Sequence, residues 1–474
     1  MNLPSGDLCG AHQPPEFDVS ATGGSRPARV AAFSLTGSSL TGSRLHRIAL
    51  GLADQGFSVG AMLLVNVMLA RTQTKQDYGA FALSYSIFTF LSGLHNAAVL
   101  EPYTVYGAGR YRGRFPAYSR LVLHASVIVG VALSAVLLAA CLVLRWAAPE
   151  LPRRALVGLG LTVGIILTGS FLRRSFYIQR KPARAAVVSL VFFVTVAASL
   201  GIAVRARVLD SFSVFLILGL GWVVAGAASL RWLGGRDRER FLEAEPHYWR
   251  EHWKYARWVL ATAFVFQFMH QGYYWLVAVF LSVKEVGDLK AMYVLIAPVE
   301  QVMISLSFLV LPALTARYAA RNMEGFLSLW KRYALALAGA TWFFAVTVRL
   351  LGARVMHVLY AGKFDGLAPL LFLLALVPLW TGIGSAFSDA IRAAERPRLV
   401  FYAYVSSALA TFALGMPLVI HWGLRGAVYG MSISGAAYAG ALALAFWLYV
   451  PKQPTPAWLD GFARNPPLPS EPGR

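Results

Sequence analysis

The stretch "YVLIAPVEQVMISLSFLVLP", residues 293–312, is apolar almost throughout and carries one charged residue, Glu300. A helix of about 20 such residues is long enough to cross the hydrocarbon core of a bilayer. An ionised carboxylate is unfavourable in hydrocarbon, so it is expected to face a bundle interior or a water-filled cavity. The stretch therefore predicts a transmembrane helix in a protein with a polar interior.

The whole chain has the composition of a membrane protein. Of its 474 residues, 57% are hydrophobic and 14% are charged, and the mean hydropathy is +0.58, whereas soluble domains carry about 25% charged residues. The formal net charge is +21, but the basic residues are scattered between apolar runs. They predict contact with anionic lipid and not with nucleic acid. Cys9 and Cys141 form no metal or disulfide pattern, and we predict no cofactor and no metal site.

Twelve apolar runs predict twelve transmembrane helices, at residues 48–70, 79–100, 121–144, 155–178, 185–204, 211–233, 256–281, 288–312, 333–350, 367–391, 399–421 and 425–449. More than two thirds of the 43 Lys and Arg residues fall on one side of this topology. Cytoplasmic segments are enriched in these residues, so both termini are predicted to be cytoplasmic. The loops on the other side are short, which argues against a membrane glycosyltransferase or polymerase, and we predict no enzymatic activity.

The two halves of the chain repeat each other. "DYGAFAL" (77–83) is similar to "EVGDLKA" (285–291), and "QRKPARA" (179–185) is similar to "AERPRLV" (394–400). Both pairs are about 210 residues apart, which indicates duplication of a six-helix unit, and an even number of helices makes the copies parallel. The prediction is an all-α integral membrane protein with two parallel six-helix lobes around a central cleft.

The lobes are predicted at residues 44–233 and 256–450. Between them, residues 234–255 mix both signs of charge with aromatic residues, which predicts a cytoplasmic interfacial linker. Residues 1–43 and the Pro-rich residues 451–474 are predicted to be disordered cytoplasmic tails.

Polar side chains inside the apolar runs are concentrated in the first two helices of each predicted lobe. Such groups mark substrate or ion pathways, although single ones also join helices by hydrogen bonds. We predict a cleft lined by spans one, two, seven and eight. The predicted substrate-binding side chains of this set are Asn66, His95, Asn96, Gln267 and Gln271.

Three ionisable residues of the same helices are predicted to couple ions: Asp54, His270 and Glu300. Spans seven and eight form an antiparallel hairpin, so His270 and Glu300 should lie at one depth near the bilayer centre. We predict that they face the cleft and interact, with Glu300 as the first candidate for proton or cation coupling. The alternative is a static pair that joins two helices.

A second polar group lies near the predicted cytoplasmic ends of spans four and ten. "FLRRSF" (171–176) places Arg173 and Arg174 about one turn inside span four, and Arg392 follows span ten. A guanidinium pairs with phosphate through two parallel hydrogen bonds. We predict that these arginines bind an anionic headgroup; the alternative is that they only anchor the topology.

Four stretches together resemble a known family: "ADQGFSVGAMLLVNVMLAR" (53–71), "YGAFALSYSIFTFLSGLHNAAVLEPYTV" (78–105), "VLYAGKFDGLAPLL" (358–371) and "GLRGAVYGMSISGAAYAG" (423–440). They resemble Wzx-type polysaccharide flippases of the multidrug/oligosaccharidyl-lipid/polysaccharide exporter superfamily. The resemblance implies a MATE-like, alternating-access carrier of the bacterial inner membrane. It also implies transport of undecaprenyl-diphosphate-linked oligosaccharide for exopolysaccharide, capsule or O-antigen synthesis.

The implied partners are the lipid-linked oligosaccharide, membrane lipids, H⁺ or Na⁺, and a polysaccharide polymerase. A cationic cavity is expected for the diphosphate, but the predicted span centres hold Glu300, His270 and amides without an arginine. The alternative function is a cation-coupled multidrug exporter of the same superfamily, with Asp54 or Glu300 as its cation site.

Overall fold

The computed structural model describes residues 42–108, 111, 115–147, 152–233 and 246–450. Within these ranges the chain forms helices and no strand. The α-helices are α1 (Gly42–Thr72), α2 (Lys75–His95), α3 (Glu101–Ala108), α4 (Phe115–Ala147), α5 (Arg153–Ile178), α6 (Pro182–Arg205), α7 (Ser211–Leu233), α8 (Pro246–Phe280), α9 (Val283–Ala319), α10 (Met323–Tyr360), α11 (Ala368–Leu374), α12 (Val377–Ala393), α13 (Pro397–Ala410) and α14 (Met416–Tyr449). Short π-helical turns at 96–100 and 411–415 join α2 to α3 and α13 to α14.

Ten segments of the described chain are long and apolar enough to cross a membrane. One of them, Pro397–Tyr449, contains two predicted spans, and Gly423 (φ 58°, ψ −136°) breaks the helix between them. The predicted seventh span lies in α8, whose 35 residues extend about 52 Å at 1.5 Å per residue. Counting Pro397–Tyr449 as two spans and adding the span in α8 brings the ten segments to the twelve predicted spans. The all-α membrane class is confirmed.

Several predicted segments lie partly or wholly outside the described residues. These are tail residues 1–41, linker residues 234–245 and the tail at 451–474. The described remainder of the linker, residues 246–255, forms the first turns of α8 and continues directly into the seventh span.

The repeat is visible in the helix ends. Thr74 immediately precedes α2 and Ser282 immediately precedes α9, and each side chain accepts a hydrogen bond from the backbone N–H three residues later, at 3.1 Å and 3.3 Å. Such caps satisfy an otherwise unpaired donor of the first turn. After α5 and α12, Arg180 and Glu395 both adopt the left-handed conformation. Each pair has the spacing of its sequence repeat, so the two copies begin and end helices alike.

The two halves meet closely where α2 crosses α9. Gly79 and its repeat equivalent Gly287 lie there backbone against backbone. A Cβ on Gly79 would overlap the Val283 carbonyl, and one on Gly287 would lie 2.8 Å from the Lys75 carbonyl oxygen. Beside this crossing, Lys75 and Asp288 form an ion pair of 3.0 Å. Glycine is required at both positions because a side chain would separate the helices.

The loop after α10 is hydrogen-bonded to the end of α1, close to the crossing of α2 and α9. Lys363 donates hydrogen bonds to the carbonyl oxygens of Ala70 (2.8 Å) and Arg71 (3.0 Å), and also to that of Gln73. These carbonyls end α1, where a helix leaves acceptors unpaired and favours a cation. We call this end the closed end; it holds the α1–α2, α8–α9 and α10–α11 connections.

The outside of the bundle is apolar. Val279, Leu335 and Phe343 are 75%, 73% and 73% exposed. Contiguous apolar surface of this kind is unusual in soluble monomers, and in a multi-pass membrane protein it faces the lipid chains.

Candidate functional site

A cavity of about 700 Å³ lies between α2 of the first half and α8, α9 and α12 of the second, with Tyr404 and Tyr438 from α13 and α14. This size is typical of small-molecule sites. Its polar lining comprises Tyr85, Ser86, Thr89, Gln267, His270, Gln271, Tyr274, Lys290, Tyr293, Glu300, Gln301, Ser307, Thr381, Ser385, Ser388, Asp389, Arg392, Tyr404 and Tyr438.

The cavity is a central cleft with walls that differ from those predicted. Spans two, seven and eight contribute, as expected. Among the described residues, α1 contributes no lining side chain, and spans ten to twelve contribute several. Span one was predicted as a wall of this cleft, but Asp54 and Asn66 of α1 are buried in the packing of the first half.

Glu300 lies on the cavity face of α9, where its carboxylate is bound by a residue two turns earlier. The Tyr293 hydroxyl lies 2.7 Å from both carboxylate oxygens. Lys290, one turn before Tyr293, lines the same cavity. The carboxylate that the sequence places in hydrocarbon therefore has a hydrogen-bond donor, and a cation shares its cavity.

His270 lines the same cavity, as predicted, but it is held by its own helix. Its Nδ1–H donates to the Phe266 carbonyl oxygen at 2.9 Å. Within the described part of the chain, the hydrogen bonds of Glu300 go to Tyr293 and not to His270. The two residues thus share the cavity, as predicted, and the predicted interaction between them is not a hydrogen bond in this conformation.

Lys290 was not singled out by the sequence, because a lysine near the end of an apolar run is expected to reach the membrane surface. In the structure its Nζ lies 4.7 Å from the ring centroid of Tyr85 and 5.9 Å from that of Tyr274. Aromatic faces stabilise a desolvated ammonium in this way. The described residues place no hydrogen-bond acceptor against it, so its N–H groups are available to a ligand. Its spacing from Tyr293 and Glu300 is the signal that could have identified it.

Arg392 and Asp389 also line the cavity, one turn apart on α12. The Arg392 Nη2 donates to the Tyr404 hydroxyl at 3.4 Å. Asp389 is buried and accepts a hydrogen bond of 3.1 Å from Tyr333. The predicted span centres hold no arginine, but Arg392, which the sequence places at the end of span ten, lines the same cavity as Glu300.

Gln267 and Gln271 both line the cavity. The Gln267 amide lies against α2, where a Cβ on Gly93 would overlap it. Gln301 accepts a long hydrogen bond of 3.5 Å from Gln55 of α1. These amides offer donors and acceptors along the seam between the two halves.

Asp54 and Arg173 form an ion pair inside the first half. Asp54 is fully buried, and its carboxylate accepts hydrogen bonds from Arg173 Nε (3.1 Å) and from the hydroxyls of Tyr177 and Ser189. Arg173 donates through its two other nitrogens to side chains of α1, at 2.8 Å and 3.0 Å. In this conformation the hydrogen bonds of Asp54 and Arg173 are therefore made within the first half.

Arg174 is the exposed member of the predicted arginine pair. It donates to the amide oxygen of Asn96 at 3.0 Å, and Glu101 lies near enough to act through its charge. Its guanidinium keeps donors for a ligand at the end of the bundle opposite the closed end.

Asn66 and His95 are buried between helices of the first half. The Asn66 amide oxygen accepts from the Tyr78 hydroxyl at 3.2 Å. The His95 Nε2 lies 2.9 Å from the Ser126 hydroxyl. Neither side chain is among those that line the cavity.

No protein-family description matches the chain, and a search of curated proteins found no match. Solved structures do match its fold. An inward-facing multidrug resistance MATE family transporter of the MOP superfamily is 15% identical, with a TM-score of 0.70 over 85% of this chain and 97% of that one. The outward-facing form of such a transporter scores 0.61 over 85% and 94%, again at 15% identity.

A MOP superfamily transporter from Pyrococcus furiosus, described by the reverse polarity of its binding pocket, is also 15% identical and scores 0.60 over 85% and 94%. At these identities the similarity shows the fold alone. The predicted MATE-like architecture, twelve helices in two lobes, is confirmed.

Proposed function

We propose that this protein is an alternating-access transporter that flips an undecaprenyl-diphosphate-linked oligosaccharide across the bacterial inner membrane. The observation that carries the proposal is the cavity lining, which combines Lys290 and Arg392 with many hydroxyls, amides and tyrosine rings. Cations bind phosphate, and the amides and hydroxyls match the hydroxyl groups of a glycan. An anionic, polyhydroxylated headgroup therefore fits this lining.

The two carboxylates of the cavity do not oppose an anionic ligand strongly. Tyr293 donates to Glu300, and Tyr333 donates to Asp389, so each negative charge is partly satisfied within the protein. An organic cation would instead meet Lys290 and Arg392, and like charges at close range disfavour binding.

The orientation supports uptake of the ligand from the cytoplasm. The positive-inside rule assigns the closed end to the outer side, and the chain superposes better on an inward-facing MATE transporter than on an outward-facing one, 0.70 against 0.61. We infer an inward-facing state in which the exposed Arg174 meets the diphosphate first and Lys290 receives it deeper.

The second candidate is a cation-coupled multidrug exporter. It is favoured by Glu300, a carboxylate in a cavity rich in tyrosine rings, because aromatic faces and carboxylates bind organic cations. In that function Glu300 would exchange a proton or Na⁺ for the drug.

Reconstituted vesicles separate the two functions. The purified protein is incorporated with a lipid-diphosphate-linked glycan, and its appearance on the far leaflet is followed with an impermeant glycosidase. A fluorescent organic cation is tested in parallel. We expect glycan translocation that is lost in Lys290→Gln and retained in Lys284→Gln, an exposed lysine near the closed end. Export of the cation without glycan translocation would replace the proposal with the second function.

A further inference from the structure

Near the start of α8, residues 249–258 present an exposed face that the transport cavity does not use. The exposed fractions of its three tryptophans are 38%, 56% and 71%. Three exposed basic residues lie between the tryptophans. The exposed face therefore consists of Trp249, Arg250, Trp253, Lys254, Arg257 and Trp258. Their three- and four-residue spacing places them on one side of the helix.

The opposite side of this segment is fixed to the first half of the protein. His252 Nε2 donates to the Ala98 carbonyl oxygen at 2.9 Å, and the Tyr255 hydroxyl donates to Glu101 at 3.3 Å. The carboxylate of Glu251 accepts from Tyr111 at 2.9 Å. Glu251 is therefore hydrogen-bonded on the side away from the exposed face. Together these contacts fix the rotation of the helix, and with it the direction in which the exposed face points.

The exposed face points to the lipid and not to the cavity. Lys254 and Val279 are about seven turns apart at 3.6 residues per turn, so they lie on the same side of α8. Val279 is 75% exposed and borders an apolar groove of about 160 Å³, lined among others by Phe268, Gly272 and Phe412. By the same periodicity, His252 and the cavity residue His270 share the other side.

We propose that this surface is a binding site for an anionic phospholipid of the cytoplasmic leaflet. Arg250, Lys254 and Arg257 would hold the headgroup phosphate, since basic side chains attract anionic lipid at short range. Tryptophan rings are enriched at headgroup depth. The groove begins about 16 Å beyond Arg257 along the helix. An acyl chain of a lipid whose phosphate is bound at Arg257 is long enough to enter it.

The site matters because α8 is the helix that connects the halves. Its first turns are bound to the first half, while its later turns line the cavity with the second. A lipid seated along this face therefore stabilises the junction, and this inference does not depend on the substrate proposed above.

The test uses the purified full chain in zwitterionic nanodiscs titrated with phosphatidylglycerol, with bound lipid counted by native mass spectrometry. The variant Arg250→Gln/Lys254→Gln/Arg257→Gln should weaken phosphatidylglycerol binding by roughly a hundredfold, from the known contribution of each cation near an anionic surface. The matched control Arg321→Gln/Lys331→Gln/Arg332→Gln removes the same charge from exposed residues of the same predicted side and should bind nearly as wild type.

Equal losses in the two triple variants would overturn the site, since general surface charge would then explain binding. Displacement of phosphatidylglycerol by the lipid-linked glycan but not by other anionic phospholipids would also overturn it, in favour of a substrate-docking surface. Gly272→Leu adds a second arm: it fills the groove and should weaken long-chain more than short-chain phosphatidylglycerol. If the triple variant does not fold, Lys254→Gln alone should show about a fivefold loss, and wild-type affinity would refute the proposal.

Discussion

The two halves repeat one helix pattern but place their charges differently. In the first half, Asp54 and Arg173 bind each other and neighbouring side chains inside the helix packing. In the second half, Glu300, Lys290 and Arg392 face a shared cavity. A charged residue in an apolar helix is thus paired within the helix packing in one copy and lines a cavity in the other.

The same divergence appears at one pair of equivalent positions. Arg174 of α5 is exposed and bound to Asn96, whereas its repeat counterpart Asp389 on α12 is buried under Tyr333. The first half therefore presents an exposed cation at the end opposite the closed end, and the second half presents a buried, hydrogen-bonded carboxylate. Duplication preserved the helix ends and changed the chemistry of the faces.

The largest expected effect is on stability, in the first half. Asp54→Ala leaves the partly buried Arg173 without its carboxylate, which should destabilise the protein by about 3 kcal/mol. Thermal unfolding in detergent measures it. The control Arg154→Ala breaks a pair whose arginine is 81% exposed and should cost less than about 1 kcal/mol. Normal stability with lost transport would make Asp54 a coupling residue. The charged residues of the two halves would then not differ in role as described above.

In the second half, Glu300→Gln should leave stability near wild type and lower the transport rate by at least about tenfold, or about 1.4 kcal/mol. Glutamine keeps the shape and the bond from Tyr293 but removes the charge beside Lys290. Initial rates between pH 6 and 8 should also lose their pH dependence. His270→Gln is the comparison and should have a smaller effect. A wild-type rate and pH profile in Glu300→Gln would leave this carboxylate structural, like Asp54.

At the closed end, Lys363→Met removes three hydrogen bonds to the end of α1. Bonds from a charged donor contribute about 1.5–3 kcal/mol in typical cases, so the outward-open population should rise by roughly tenfold. Spin labels on α1 and α10 report the distance change, and Lys284→Met serves as an exposed lysine control. An unchanged distance distribution would show that the Lys363 hydrogen bonds are not needed to keep the closed end shut.

Arg174→Lys should reduce transport severalfold without affecting membrane insertion, because lysine keeps the charge but not the two parallel hydrogen bonds to phosphate. Arg180→Lys, at another exposed arginine of the same region, should be neutral. Full transport in both Arg174→Lys and Arg174→Ala would reduce this residue to a topological anchor.

The smallest effect concerns His252, where α8 joins the first half. Burial lowers the pKa of His252 below its usual value, partly offset by its bond to the Ala98 carbonyl. A lowered folded-state pKa means that the contribution to stability is present above about pH 6.5, the unfolded value, and is lost as the pH falls below it. The melting temperature should therefore fall between pH 7.5 and 5.5, and His252→Gln should flatten this slope. An identical slope in the variant would assign the pH dependence to other groups.

Sequence alone was sufficient for the class, the number of spans and the repeat. A bilayer requires each backbone N–H to be paired within its own segment, so twelve apolar runs predict twelve helices whatever their packing. The turn residues that repeat between the halves also repeat in geometry, as Arg180 and Glu395 show.

Tertiary structure decided which polar residues face the cavity. Helical periodicity tells which side chains share a face but not what that face meets. Asp54 and Glu300 are both carboxylates in apolar helices; one meets Arg173 in the packing and the other meets the cavity. Lys290 shares α9 with Glu300, but only the packing of α9 against α2 places it over the Tyr85 ring, and only the packing of α12 brings Arg392 to the same cavity. Their roles depend on neighbours distant in the chain, because the environment of a charge in hydrocarbon is set by the partner that the fold places beside it.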